Sequence, residues 1–167
     1  MFNELFGTDA DTQLGIYLND HRAGAVGASA LARRSAGANT DNVIGEYLGG
    51  QFERELEDER ALLDALRERL GVRSNPVKQY GARLAELLGR AKLNGALTGP
   101  TPLSRVIELE ALIAGVSAKR QLWRTAIALP DVDTELFEEQ LDRADDQIGR
   151  LQELHRWATK EAFGTTT

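Results

Sequence analysis

Residues 35–42, SAGANTDN, form a short stretch of the small and polar residues that end helices and make turns. Apolar residues with helical spacing lie on both sides of it. Those before it predict helix A, which begins near the cap residues TDADT and runs to about Arg34. Those after it predict helix B, from about Ile44 to Leu70, where Gly71 and the nearby Pro76 end the helix. The first part of the chain is therefore a pair of long helices with a short connection.

The C-terminal part of the chain shows the same arrangement. Helix C begins after Pro102 and runs to about Ala128; it is apolar over so much of its circumference that we expect it to be the most buried helix. The N-terminal signal LPDVDT precedes helix D, which runs to about Phe163. Between the two pairs, residues 76–93 carry a further helical pattern, and NGALTGPTP ends it with glycine and proline. We interpret this segment as a helical crossover.

Length and composition favour one all-α domain, with its core at about residues 11–163. A chain of 167 residues that is 42% hydrophobic can bury one sizeable core, and its few prolines and short β-branched runs favour helix. The formal charge of -6 argues against nucleic acid and membrane surfaces as partners. Neither a signal peptide nor a run of about 20 apolar residues is present, which predicts a cytoplasmic protein. The absence of cysteine excludes Cys-ligated metals.

Helix A carries one of the two histidines of the chain on its apolar face. Projection at 100° per residue places His21 beside Leu14 and Leu18, so we expect it to face inward. A histidine in this position is either a hydrogen-bonded core residue or a ligand. Counted from the loop between helices A and B, His21 and Glu55 lie at about the same level.

Helix B contains a run of acids, of which Glu55 and Glu59 project onto the apolar stripe while Glu53 and Glu57 project away. A buried carboxylate needs a cationic partner because an unpaired buried charge is very costly. Arg54 or Arg60 is one such partner, and a metal ion is another.

Helices C and D each offer inward polar residues as well. Glu110 projects among the apolar residues of helix C, whereas Glu108 projects with Lys119 onto the opposite side. On helix D, His155 shares a face with Ile148 and Leu151, and Gln147 lies at the edge of that face. Each of the four helices can therefore present a polar side chain to the interior.

The two helix pairs, the long connection and the inward acids resemble the ferritin-like superfamily of four-helix bundles. This resemblance implies a ferritin-like fold with a long helical crossover between helices B and C, and a metal centre inside the bundle. The Glu-x-x-His motifs of that family are missing. What the resemblance leaves is a mixed site for one divalent ion, Fe, Mn or Zn, with these ligands: His21, Glu55, Glu59, Glu110 and His155.

Two functions remain open from the sequence. The first is a ferritin-like bundle that binds one divalent metal. The alternative is a metal-free helical binding or scaffold module that acts as a homo-oligomer, with a dimer interface on the apolar face of helix C around Trp123. The chain has no P-loop, dinucleotide fingerprint or G-x-S-x-G motif. Whether the protein is an enzyme, and which small molecule it binds, stays open.

Overall fold

The computed structural model describes residues 3–72 and 101–164, and this part of the chain is entirely helical. Its elements are α1 (Asn3–Gly37), α2 (Val43–Tyr47), a π-helical turn (Leu48–Phe52), α3 (Glu53–Arg69), α4 (Pro102–Ile127) and α5 (Thr134–Phe163). Because α2, the π turn and α3 follow one another without a break, they form the single long helix predicted as helix B. The all-α class and the four long helices are confirmed, and α1 begins nearer the N-terminus than predicted. The predicted crossover helix at 76–93 lies outside the described residues.

Local chemistry fixes the helix ends close to where the sequence indicates them. Thr101 and Ser104 form a reciprocal capping box at the start of α4, with Pro102 as its first residue. The Asp133 side chain accepts a hydrogen bond from the backbone of Leu136 at the start of α5. At the other end of α3, Gly71 has a φ of 66°, a left-handed conformation in which glycine is unstrained.

Side-chain contacts fix the relative directions of the helices. Arg105, in the first turn of α4, donates a 2.7 Å hydrogen bond to Asn39 in the loop between α1 and α2. The starts of α2 and α4 therefore lie at the same end of the bundle, and α3 runs parallel to α4. Arg69 at the end of α3 and Pro102 at the start of α4 consequently lie at opposite ends.

The core consists of two apolar clusters, and every long helix contributes to both. Leu56 and Val116 belong to the first cluster, Leu63 and Leu122 to the second. Glu59 and Lys119 therefore lie between the two clusters. The sequence pattern had instead predicted that Lys119 faces the solvent on helix C, which is α4 in the structure. None of the described helices is both long and apolar enough to span a membrane.

Trp123 is an internal residue of this core. Its side chain stacks on Phe137 with the ring centroids 5.7 Å apart, and only 1% of it is exposed. Trp123, which the sequence placed in a predicted dimer interface, is therefore covered by α5 of the same chain.

Helix α2 requires a glycine at the position where it packs against the preceding loop. A Cβ atom on Gly45 would lie 2.0 Å from the backbone oxygen of Asn39, closer than any real carbon–oxygen contact. The Asn39 side chain is itself buried and bonds the backbone of Ser35 and the side chains of Asn42 and Arg105. The loop therefore cannot move away from an added methyl group without breaking these bonds.

We expect Gly45→Ala to destabilise the protein by about 3 kcal/mol, because overpacking of a fixed backbone forces it to shift. Gly149→Ala is the matched control: its Cβ would meet nothing within 4 Å on α5, so higher helix propensity should stabilise the protein by about 0.5–1 kcal/mol. Urea unfolding followed by circular dichroism measures both. Equal effects of the two substitutions would contradict the close approach at Gly45.

Candidate functional site

The centre of the bundle holds a polar layer, which we define as Glu55, Glu59, Lys119 and Gln147. The Lys119 ammonium donates to the Glu59 carboxylate and, at 2.5 Å, to Oε1 of Gln147. The amide nitrogen of Gln147 donates to Oε2 of Glu55 at 2.8 Å and to Oε1 of Glu59 at 3.2 Å. One connected network therefore joins α3, α4 and α5.

Glu59 and Gln147 of the polar layer are deeply buried, the Lys119 side chain is 14% exposed, and burial acts on the charges of the layer. Glu59 and Gln147 are 3% and 1% exposed. Burial raises the pKa of Glu59 and lowers the pKa of Lys119, because the interior disfavours the charged form of each group; their mutual attraction opposes both shifts. The ion pair is thus held in place by geometry and hydrogen bonding against a cost of desolvation.

Helical spacing explains why Lys119 faces inward. It lies three residues after Val116 and three before Leu122, and both of these are buried. The buried stripe of α4 runs through Leu109, Leu112 and Val116, so it is rotated from the stripe that the sequence suggested. The prediction that Lys119 lies on the outer side is wrong, and Lys119 replaces Arg54 and Arg60 as the partner of Glu59. Its buried neighbours at i−3 and i+3 were the signal for this.

The π turn shapes the approach to the polar layer. Gln51, in this turn, donates a 2.7 Å hydrogen bond to Oε1 of Glu55, whose other oxygen accepts from Gln147. Single π-helical turns occur frequently at functional sites because they re-aim the side chains that follow them. Here the turn precedes Glu55 and Glu59, both of which reach the same network.

An open cleft of about 530 Å³ lies between the π turn and α5 and ends at the polar layer. Its floor is formed by Gln147 and Glu55, and Tyr47 and Gln51 line it from the helix B side. The residues contributed by α5 are mostly charged: Glu139, Asp142, Arg143, Asp146 and Arg150. A volume of this size is typical of small-molecule sites.

Two hydrogen-bond donors that line the cleft, Arg143 and the hydroxyl of Tyr47, have no partner among the described residues. Half-buried Arg143 forms neither an ion pair nor a hydrogen bond with any described residue. Its charge opposes the rise that burial causes in the pKa of Glu59 and adds to the fall that burial causes in the pKa of Lys119. The hydroxyl of Tyr47 likewise has no hydrogen-bond partner in residues 3–72 and 101–164, and the side chain is only 9% exposed. Burial raises the pKa of Tyr47, so the hydroxyl remains a hydrogen-bond donor at neutral pH.

His21 lies apart from the polar layer and is half-buried. Its ring packs edge-on against Tyr17 with centroids 4.6 Å apart, and burial lowers its pKa while Asp20 opposes this. The neighbouring Arg22 binds Asp64 at 2.7 Å, so α1 at this level faces a part of α3 nine residues beyond Glu55. This corresponds to roughly 13 Å along the helix at 1.5 Å per residue. The prediction that His21 and Glu55 share a level is wrong.

Glu110 and His155 form a separate pair at the surface. Nε2 of His155 lies 3.1 Å from Oε1 of Glu110, and the Glu110 side chain is 58% exposed. Glu108 is the more buried of the two acids on α4, and it binds Arg34 at 3.0 Å. The prediction that Glu110 faces the core is therefore wrong, because the buried stripe of α4 passes nearer Glu108.

Two parts of the sequence interpretation hold for helix B. Glu53 and Glu57 project away from the core, and both bind Arg33 on the surface. Glu55 and Glu59 are brought together by Gln147, as their projection onto one stripe predicted. The sequence pattern did not predict the other two members of this network among the described residues. It placed Lys119 on the outer side of helix C, and it placed Gln147 only at the edge of the apolar face of helix D.

The polar layer does not fit the metal ion that the ferritin-like resemblance implies. The Lys119 ammonium already supplies a positive charge between the carboxylate of Glu59 and the amide oxygen of Gln147. A divalent ion at this point would meet like charge at hydrogen-bonding distance, which is strongly unfavourable in a buried site. In the described parts of the chain, no three side chains of the His, Cys, Asp or Glu type are grouped to hold a metal ion.

Comparisons with known proteins add no family: no family model matches the chain, and no curated protein or solved structure is significantly similar to it.

Breaking the buried ion pair should cost far more than removing it entirely. We expect Lys119→Met to destabilise the protein by about 3–5 kcal/mol, because it leaves the buried Glu59 carboxylate unpaired, and Glu59→Gln added to it to restore most of this loss. Urea unfolding of both variants tests this, with the exposed Lys160→Met as the control. A loss no greater for Lys119→Met than for Lys160→Met would contradict the buried pair.

The same pair predicts a pH dependence with a definite sign. Since the folded pKa of Glu59 is raised, the stability of the wild type relative to Glu59→Gln/Lys119→Met should fall as the pH rises from the ordinary glutamate pKa through this raised pKa. Since the folded pKa of Lys119 is lowered, that relative stability should recover as the pH rises from this lowered pKa towards the ordinary lysine pKa. Glu55 and Arg143 are charged neighbours of the pair in both proteins, so their contributions largely cancel in the stability difference between the two proteins. A flat difference across this window would contradict the shifts.

Proposed function

We propose that this protein is a metal-free helical binding bundle, in which Lys119 takes the central position of a cation and the function is performed by ligand binding in the surface cleft. The observation that carries the proposal is the Lys119 ammonium between Glu59 and Gln147. It neutralises the buried carboxylate without an external ion, which removes the electrostatic reason for a metal at the centre. The site that stays accessible is the cleft beside the π turn.

The proposal includes a ferritin-like connection of the helices. The parallel direction of α3 and α4 supports this connection. Because the end of α3 and the start of α4 lie at opposite ends of the bundle, one long crossover must join them. The 32 residues of sequence between Arg69 and Pro102 are enough for this. The chain thus combines the bundle architecture of metal carriers with an internal ammonium group.

Metal analysis tests the proposal directly. We expect the wild type, incubated with Fe(II), Mn(II) or Zn(II) and then desalted, to retain no stoichiometric metal, because the polar layer already contains its cation. Elemental analysis of the desalted protein is the measurement. Retention of about one ion per chain that Glu59→Gln abolishes would overturn the proposal, since the ion would then be bound in the polar layer.

A variant makes the role of Lys119 explicit. We expect Lys119→Ala to acquire affinity for Mn(II), because the oxygen atoms of Glu59 and Gln147 would then face a vacated position without a positive charge, with the Glu55 carboxylate nearby. Titration calorimetry measures the binding, circular dichroism verifies that the variant is helical, and Lys160→Ala is the control. A folded Lys119→Ala protein with no more affinity for Mn(II) than Lys160→Ala would contradict a cation position.

A further inference from the structure

We propose that the cleft between the π turn and α5 binds a small zwitterion of the basic amino acid class, with its carboxylate on Arg143 and Tyr47 and its amino groups on the acids of α5. This inference rests on the proposed function as a binding bundle and names the class of ligand.

The inner part of the cleft is suited to a carboxylate. Arg143 and Arg60 are both half-buried and without an ion pair in the described residues, and of these two only Arg143 lines the cleft. A guanidinium is a planar donor that matches a carboxylate at two points. The Tyr47 hydroxyl is a second donor: it has no hydrogen-bond partner among the described residues, and Tyr47 as a whole residue is 9% exposed. Its pKa responds to Glu55, Asp146 and Arg150, so it lies among the charges of the cleft.

The outer part of the cleft is suited to amino groups. Glu139, Asp142 and Asp146 are exposed at the rim, and none of them forms an ion pair with a residue that the structure describes. Arg150, by contrast, is bound to Glu153 at 2.7 Å and lies over the Tyr47 ring. Glu55 also lines the cleft but already accepts hydrogen bonds from the Gln51 and Gln147 amides, so the charged groups left without any partner among the described residues are three carboxylates and one guanidinium. A ligand with one carboxylate and two amino groups matches this balance better than a simple anion or a neutral molecule.

The floor of the cleft limits how deep the ligand can reach. The Gln147 amide uses its oxygen for Lys119 and its nitrogen for Glu55 and Glu59. It has no group left to bind a ligand, so the unpartnered groups on the walls must provide the contacts. Specificity should therefore depend on Arg143 and Tyr47 rather than on the polar layer.

The experiment compares three probes on the full-length protein by titration calorimetry: L-lysine, cadaverine, which lacks the carboxylate, and L-norleucine, which lacks the side-chain amino group. We expect L-lysine to bind at least about tenfold more tightly than either of the others, because each analogue leaves charged groups of the cleft without a partner. The variants are Arg143→Gln and Tyr47→Phe, with Arg156→Gln on the exposed side of α5 as the matched control.

The variants connect the affinity to the named residues. Arg143→Gln should reduce L-lysine affinity about tenfold or more and leave cadaverine affinity the same or higher, because only L-lysine has a carboxylate to lose its partner. Tyr47→Phe should weaken L-lysine by a smaller factor, and Arg156→Gln should change neither.

Absence of L-lysine binding, equal affinity for L-lysine and either analogue, or equal effects of Arg143→Gln and Arg156→Gln would each overturn the inference. Because these results do not depend on metal content, they are distinguishable from a failure of the proposed function, which only retained metal would show.

Discussion

The buried ammonium of Lys119 is the constraint on which the centre of this bundle depends. It is the one group that touches partners on both α3 and α5 within the polar layer, and without it the Glu59 carboxylate would be an uncompensated charge in the interior. The two apolar clusters would provide most of the hydrophobic stabilisation in any bundle of this size. The polar layer between them instead fixes how the helices are aligned, since the hydrogen bonds of Gln147 are satisfied in only one alignment of α3, α4 and α5.

The same layer separates the interior from the surface of the molecule. Glu55 and Gln147 belong both to the buried network and to the cleft floor, so the floor is held rigid by bonds to groups that no ligand touches. Rigid support of this kind is what a binding site requires to hold a ligand in one orientation. Around this floor, half-buried Arg143 and the exposed acids of α5 have no ion pair among the described residues, and in the proposal a ligand completes the pairing.

Helix positions followed well from the sequence, whereas the orientation of individual side chains followed only in part. Caps at Thr101 and Asp133 and the left-handed Gly71 are local signals, and they placed the helix ends within a few residues. On α4, apolar residues surround so much of the helix that either Glu108 or Glu110 could have faced inward, and the choice depends on packing against α1 and α5. The level of His21 depended on how the loop at residues 38–42 connects the helices, which spacing along one helix does not contain. The π turn shifted helix B in a way that no 100° projection includes.

That π turn also means that the register of helix B is set by chain length. A π-helical turn accommodates one residue more than the α-helical path around it. Loss of one residue between Leu48 and Phe52 would let this turn return to the regular α form with α2 and α3 still facing the same sides, because the turn already absorbs one extra residue. A further residue inserted at Gly49 or Gly50 that the turn did not absorb would instead rotate α2 against α3 by about 100°. Glu59 and Leu63 would then leave the side that faces α4, while every amino acid of α3 remained the same. The length of this segment therefore carries structural information that its composition does not.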